Sequence, residues 1–357
     1  MQLFTNSSLL PSIRNLPLVP DNWLATSALQ KAIRRGEIEK ALLATAYLVE
    51  KQPARFWRRL VVIALEDVGI SDLRLVEEVL LASGRPSWRA EHGGEEHWAA
   101  DLVTRLCVAE KNRDAWDALV IADLHPDLGR QRSGFLDYSG YQLCEVLADR
   151  DRPIGERMLA AWMITGTKRY PADSLPERDG SFAELLTVYD AIGVPPDVLK
   201  VARYGSTRTN EGHPLTIPLI WLLSNQEGSV ARLETADLPT TRLIGGWPDY
   251  AFDMHTRAGK VALRLFGYRC GDLQKLLMEN LPAEQWQDFI GTLVFRAEGE
   301  AVDRRRVFSA TGAIRRDAEV AHLTYQGFPA TLATEALEVV RGHTDLLYSC
   351  RVEALKG

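Results

Sequence analysis

Cysteine is scarce in this chain. Only four occur in 357 residues, at Cys107, Cys144, Cys270 and Cys350, and no two form a Cys-x-x-Cys pair. That spacing excludes a zinc ribbon and a dithiol redox motif. It predicts free, buried thiols of a reducing compartment. Long apolar runs are lacking too: the longest, Leu215 to Leu223, has nine residues and is interrupted by Thr216 and Pro218, against the roughly 20 that a membrane helix needs. The start, MQLFTNSSLL, has neither the basic residues nor the apolar stretch of a secretory signal. No membrane partner and a cytoplasmic location are therefore expected. Positive charge is not in excess, since 42 Lys and Arg face 48 Asp and Glu for a net charge of −6. The whole-chain field gives no reason to expect nucleic acid, although a local basic face survives such an average.

Common catalytic signatures are missing as well. A phosphate-binding loop needs a glycine separated by four residues from Gly-Lys, and Gly259-Lys260 has Met254 there. No Gly-x-Gly-x-x-Gly, Gly-x-Ser-x-Gly or His-Glu-x-x-His occurs. No cofactor is expected. Near Glu95 and Glu96 in EHGGEEH, the histidines His92 and His97 stand five apart around Gly93-Gly94 and would not share a helical face. A solvated polar loop is expected there, and no metal site.

What is present is helical periodicity from end to end. Residues 1–26 carry Pro11, Pro17 and Pro20 and read as an extended lead-in. Thr26 or Ser27 can cap a first helix, with Gln30 completing a capping box, that stops near Gly36. A second helix over 37–51 puts Ile38, Leu42, Thr45, Ala46 and Val49 on one stripe. A third follows Pro53 and ends at Gly69. Very short turns between them predict antiparallel neighbours in a bundle of short helices. Helical patterns resume over 71–81, 95–109 and 112–124. The glycine-rich and proline-containing stretch 125–140 reads as a boundary, and further helices lie in 141–357, with 205–214 as a polar loop. No convincing strand pattern appears. The fold class expected is all-α: a bundle at 27–124 followed by a second helical region at 141–357.

Residues 27–69, SALQKAIRRGEIEKALLATAYLVEKQPARFWRRLVVIALEDVG, carry Ser27-Ala28-Leu29, Lys31 and Ile33-Arg34. They continue with Ala41-Leu42, Ala46 and Leu48, then Arg58-Arg59-Leu60, Ala64, Glu66-Asp67 and Gly69. Residues 106–122, LCVAEKNRDAWDALVIA, add an Ala-x-Lys-Asn core and spaced alanines. In this order and spacing the segment at about 27–124 resembles the helical collar domain of the MgsA/RarA family of replication-associated AAA+ ATPases. The resemblance implies a clamp-loader-like bundle that associates into an oligomer near DNA. It ends near Leu124, and the nucleotide-binding module that precedes the collar in that family is not in this sequence. ATP hydrolysis is therefore not expected.

The residues themselves point partly the same way. Between Ser27 and Leu60, eight basic residues stand against three acidic ones, reversing the sign of the chain. Arg34, Arg35, Arg55, Arg58 and Arg59 are candidates for nucleic-acid or partner contact, with salt-dependent affinity if they touch phosphates. Alternatively, Arg59 pairs with Glu66 or Asp67 inside the bundle. Arg304 to Arg306 and Arg315-Arg316 form a second possible basic footprint. The main expectation is a non-catalytic oligomerising or adaptor protein of DNA replication, recombination or repair, with a homo-oligomer, DNA and a replication AAA+ ATPase as partners. One alternative is an enzyme acting on a phosphorylated or nucleic-acid substrate. Its candidate catalytic residues are Asp253, His255, Arg257 and Lys260, where an Asp-capped helix start offers free amides to an anion, with Arg208 or His213 as companions. The other is a protein-binding module that interferes with a clamp-loader-like ATPase.

Overall fold

The first helix, α1, spans Asn22–Arg34 and is capped by Asp21, whose carboxylate accepts from the Leu24 amide at 2.7 Å. It therefore starts ahead of the expected Thr26 or Ser27. Both hydroxyls are used inside the helix instead: Thr26 donates to the Asn22 carbonyl at 2.6 Å, and Ser27 reaches across to Asp253, a common fate of mid-helix hydroxyls. The structure, a computed structural model, describes residues 9–14 and 17–356. The expected lead-in falls partly outside them. Of its described part, Leu10 packs with Ala46 and Ala100, and Leu18 pairs with the backbone of Gly245.

After α1 come α2 (Ile38–Lys51) and α3 (Pro53–Ile63). Pro53 sits in the first turn of α3, where its missing N–H has no cost. A single π turn, Ala64–Val68, extends α3 to Gly69. Next are α4 (Leu73–Ser83), α5 (Pro86–Glu91), α6 (Glu95–Val108) and α7 (Asp114–Leu124). Then α8 (Gly129–Gly134), α9 (Gly140–Ala148), α10 (Ile154–Thr165), α11 (Phe182–Ala191), α12 (Pro196–Arg208) and α13 (His213–Ser224) follow. The remainder holds α14 (Arg257–Arg269), α15 (Gly271–Asn280), α16 (Trp286–Val294), α17 (Ile314–Thr324), α18 (Ala330–Gly342) and α19 (Thr344–Ala354). The protein is all-α, and among the described residues no helix is long and apolar enough to cross a membrane.

Four short strands depart from the sequence expectation. β1 (Ala231–Thr235) pairs antiparallel with β4 (Arg304–Phe308), and β2 (Leu243–Ile244) pairs with β3 (Trp247–Pro248). The three arginines of β4 obey the two-residue alternation of a strand. Arg305 is buried against Asp117 at 2.7 Å, while Arg304 and Arg306 turn outward to Glu110. The expected basic footprint at 304–306 is therefore fully paired. A second correction concerns 205–214. Helix α12 continues to Arg208, its Ser206 and Thr207 hydroxyls bonding back to the Arg203 and Tyr204 carbonyls, and only 209–212 form a loop.

One apolar cluster takes Leu29 and Ile33 of α1, Phe56 and Leu60 of α3, Leu119 of α7, Leu159 of α10, Leu215 of α13 and Ala318 of α17. Leu128 and Phe135, from the segment read as a boundary, are part of it. A second cluster joins Phe266 of α14, Leu273 of α15, Phe289 of α16, Leu337 of α18 and Leu347 of α19. The cysteines are free, with Cys107, Cys270 and Cys350 buried.

Candidate nucleic-acid interface

The most conspicuous charges of the sequence meet inside the protein. Arg34 donates to Asp67 at 2.6 Å, to Glu66 at 2.5 Å and to the Gly299 carbonyl at 2.8 Å. The π turn of 64–68 makes this possible, because it brings two consecutive carboxylates to one guanidinium. Arg113 contacts the same two carboxylates and reaches Glu300 at 3.2 Å. Glu300 also binds Arg296 at 2.7 Å, and Arg296 donates to His322 Nδ1 at 3.0 Å. Burial alone would raise the carboxyls of Glu66 and Glu300. Arg34 and Arg113 outweigh it for Glu66, Arg296 and Arg113 for Glu300, and both end near 2. His322 is pushed down to about 4 by burial and by Arg296. Such a network cannot be opened to a ligand without stranding buried charge.

Two of the five arginines singled out in the sequence are thereby removed from any surface role. Arg34 and Arg35 are 2% and 6% exposed. Arg35 lies over the Tyr250 ring at 4.8 Å and donates to the Pro239 carbonyl at 2.7 Å. Arg59 does not pair with Glu66 or Asp67; its guanidinium donates to Gln30 at 3.4 Å.

The cluster around Asp253 is not assembled as a site. Thr256, rather than Asp253, caps α14, accepting from the Gly259 amide at 2.9 Å. Asp253 is buried and bound by Lys31 at 2.6 Å and by Ser27 at 2.6 Å. Lys31 holds its carboxyl below the ordinary value against the opposing effect of burial. His255, Arg257 and Lys260 are exposed, and neither Arg208 nor His213 joins them. In EHGGEEH, Glu95 binds Arg89 at 2.9 Å and His92 stacks on Trp88. Among the described residues no group of three or more His, Cys, Asp or Glu is placed to hold a metal.

Arg55, Arg58 and Arg59 have a different fate. Their spacing of three and four puts them on one face of α3, opposite the buried Phe56 and Trp57. That face lines a cavity of about 430 Å³ whose other walls carry Trp23 of α1, Arg169 from the loop after α10, and Ser206 to Glu211 at the end of α12. Five arginines from three parts of the chain thus line it, Arg55, Arg58, Arg59, Arg169 and Arg208, the last with its guanidinium against Gly84. Their known contacts are neutral. Arg55 donates to Thr26 at 3.1 Å and lies over the half-exposed Trp23 ring at 4.3 Å, and Arg169 donates to the Ser206 carbonyl. None of the five forms an ion pair with a carboxylate among the described residues. Burial, then Arg59 and Arg58, push the Arg55 guanidinium below its ordinary value and outweigh the opposing effect of Asp21. Arg58, Thr207 and Arg208 also border a larger groove of about 1050 Å³ floored by Val49, Trp57 and Val61.

The α3 triplet was legible as a helical face. Arg169 and Trp23 had no sequence signal, and Arg208 was visible only as a companion for another cluster. Chemically the cavity offers several N–H donors of fixed positive charge beside an exposed aromatic ring, which suits phosphate oxygens and a stacked base. Compared with known proteins, the chain matches no family model, no curated protein and no solved structure.

Proposed function

We propose that this protein is a non-catalytic adaptor that holds nucleic acid by its phosphates in the arginine-lined cavity. Its setting is DNA replication, recombination or repair, as the collar resemblance of residues 27–124 implies. The observation that carries the reading is that Arg55, Arg58, Arg59, Arg169 and Arg208 line one open cavity, none of them in an ion pair among the described residues, against a single lining carboxylate, Glu211. A surface arginine ordinarily finds an acidic neighbour or points alone into water. Five that share a concave surface repel one another and are stabilised by an anion spaced as phosphates are. The acidic net charge of −6 favours a local grip over general coating of DNA.

The bundle itself supplies the adaptor part of the reading. A second copy or a replication AAA+ ATPase is the partner that the collar resemblance implies. The arginine-lined cavity is preferred to the enzyme alternative because Lys31 and Ser27 already occupy the buried Asp253 carboxylate, while His255, Arg257 and Lys260 are exposed.

Fluorescence anisotropy with a short labelled oligonucleotide at low salt tests the binding reading. Saturable binding that weakens as salt rises is expected, and its absence in the intact protein at low salt overturns it. Light scattering after size exclusion tests the oligomer, which a strict monomer at all concentrations refutes.

A further inference from the structure

On the far side of the 209–212 loop lies a second cavity, of about 330 Å³, whose walls include Trp116, Leu119, Trp162, His213 and His322. Asn210 and Glu211 line both this cavity and the arginine-lined one, so the two sites share a wall. Their chemistry is opposite. The second cavity contains no arginine or lysine, and Asp123 and Asp173, which line it and not the arginine cavity, repel phosphate. Its apolar walls are the indoles of Trp116 and Trp162 with aliphatic side chains that include Leu119, Val120 and Leu124.

Three nitrogens on its walls are unmet, although His322 and Asp123 are bonded. His213 is 1% exposed, yet neither of its ring nitrogens has a hydrogen-bond partner, and the buried Trp116 Nε1 has none either. Glu66, the nearest carboxylate to His213, stands 4.0 Å from Nε2, beyond hydrogen-bond reach. The Trp116 and His213 rings are nearly parallel, at 28° with centroids 6.3 Å apart. Buried polar atoms in folded proteins are almost always paired, so three orphaned nitrogens on one small aromatic cavity indicate a ligand. Burial lowers the His213 pKa, which keeps the ring neutral near pH 7. A neutral imidazole presents one donor and one acceptor, and the indole N–H adds a second donor.

We infer that this cavity receives a single nucleobase, held between aromatic walls and hydrogen-bonded by His213 and Trp116, while the attached phosphate lies across the 209–212 loop on the arginines. A nucleobase is planar, carries both donors and acceptors on its edge, and stacks on indole. The inference rests on the phosphate-binding reading above and makes it more specific. The substrate class becomes single-stranded or unpaired nucleic acid, since a base in a duplex cannot leave its stack without being flipped out.

The test titrates the intact protein with the four common ribonucleoside 5′-monophosphates, with ribose 5-phosphate, and with an oligonucleotide, following tryptophan fluorescence and calorimetry. At least one monophosphate is expected to bind one-to-one and more than about tenfold tighter than ribose 5-phosphate, which lacks the base. Trp116→Leu should remove that preference while leaving the salt dependence of oligonucleotide binding unchanged. The comparison with ribose 5-phosphate needs no variant and stands even if Trp116→Leu fails to fold. If all monophosphates bind no better than ribose 5-phosphate while the oligonucleotide binds with its salt dependence intact, the base pocket is refuted and the phosphate cleft stands. If monophosphates show the base preference but the oligonucleotide does not bind, the cleft reading falls and the pocket stands.

Discussion

Replacing Arg55, Arg58 and Arg59 together by Gln should flatten the salt dependence of oligonucleotide binding. Each neutralised phosphate of a single strand contributes about 0.7 to the slope of log K against log salt. Five arginines engaged with five phosphates set an upper limit near 3.5, so raising salt from about 50 to 200 mM weakens the wild type by about 100-fold. With only Arg169 and Arg208 left, the slope falls to about 1.4 and the same step costs about sevenfold. Folding should survive, because none of the three forms an ion pair: Arg55 bonds Thr26 and lies over the half-exposed Trp23 ring, and Arg59 bonds Gln30. Losing such contacts costs about 1 kcal/mol apiece. Anisotropy at four or five salt concentrations gives the slopes, and circular dichroism checks the fold. Arg304→Gln is the matched control, since Arg304 faces Glu110 outside the cavity, and it should leave the slope unchanged. A triple variant that binds with the wild-type slope refutes the assignment of these residues to phosphate contact.

Three further outcomes concern stability. Arg113→Met removes a guanidinium shared by Glu66, Asp67 and Glu300 and should destabilise by about 3–5 kcal/mol in urea unfolding, whereas a loss below about 1 kcal/mol would show the network to be dispensable. Acidification should weaken the fold in two stages. His322, held near 4, binds its proton more readily when unfolded, so stability is complete above about 6.5 and falls towards pH 4; Glu66 and Glu300, held near 2, contribute stability that is lost as pH drops from about 4.5 through 2. His322→Gln should blunt the first stage, and a melting temperature flat between pH 7 and 4 would contradict it. Gly69, at φ +51° with the Asn112 carbonyl 2.8 Å from where a Cβ would sit, should not tolerate Ala; a thermal melt of Gly69→Ala within about 0.5 kcal/mol of wild type would contradict this.

The local part of the fold was readable because its causes are local. Pro53 and Gly69 bracket the α3 segment, the apolar stripe of α2 predicts its buried face, and the spacing of Arg55, Arg58 and Arg59 puts them on one side of α3 whatever surrounds it. Helix starts were less secure, since Asp21, Thr26 and Ser27 are all competent caps, and Thr256 competes with Asp253 in the same way. Which one wins depends on whether a distant partner claims the hydroxyl or carboxylate, as Asp253 claims Ser27 and Lys31 claims Asp253.

The candidate site shows the limit more sharply. Arg34 and Arg58 look alike in sequence: each belongs to an Arg-Arg pair within the same basic segment. The tertiary structure buries the first between Glu66, Asp67 and Gly299 and leaves the second on a cavity wall with Arg169 and Arg208. The alternation that buries Arg305 and exposes Arg304 and Arg306 exists only because β4 pairs with a strand from 231–235. By itself the sequence determined an all-α chain, the face of α3 that carries its arginines, and the excess of positive charge between residues 27 and 60. Tertiary structure decided which of those charges remain available to a ligand. Ion pairing and burial are set by partners tens to hundreds of residues away, and no local pattern encodes them.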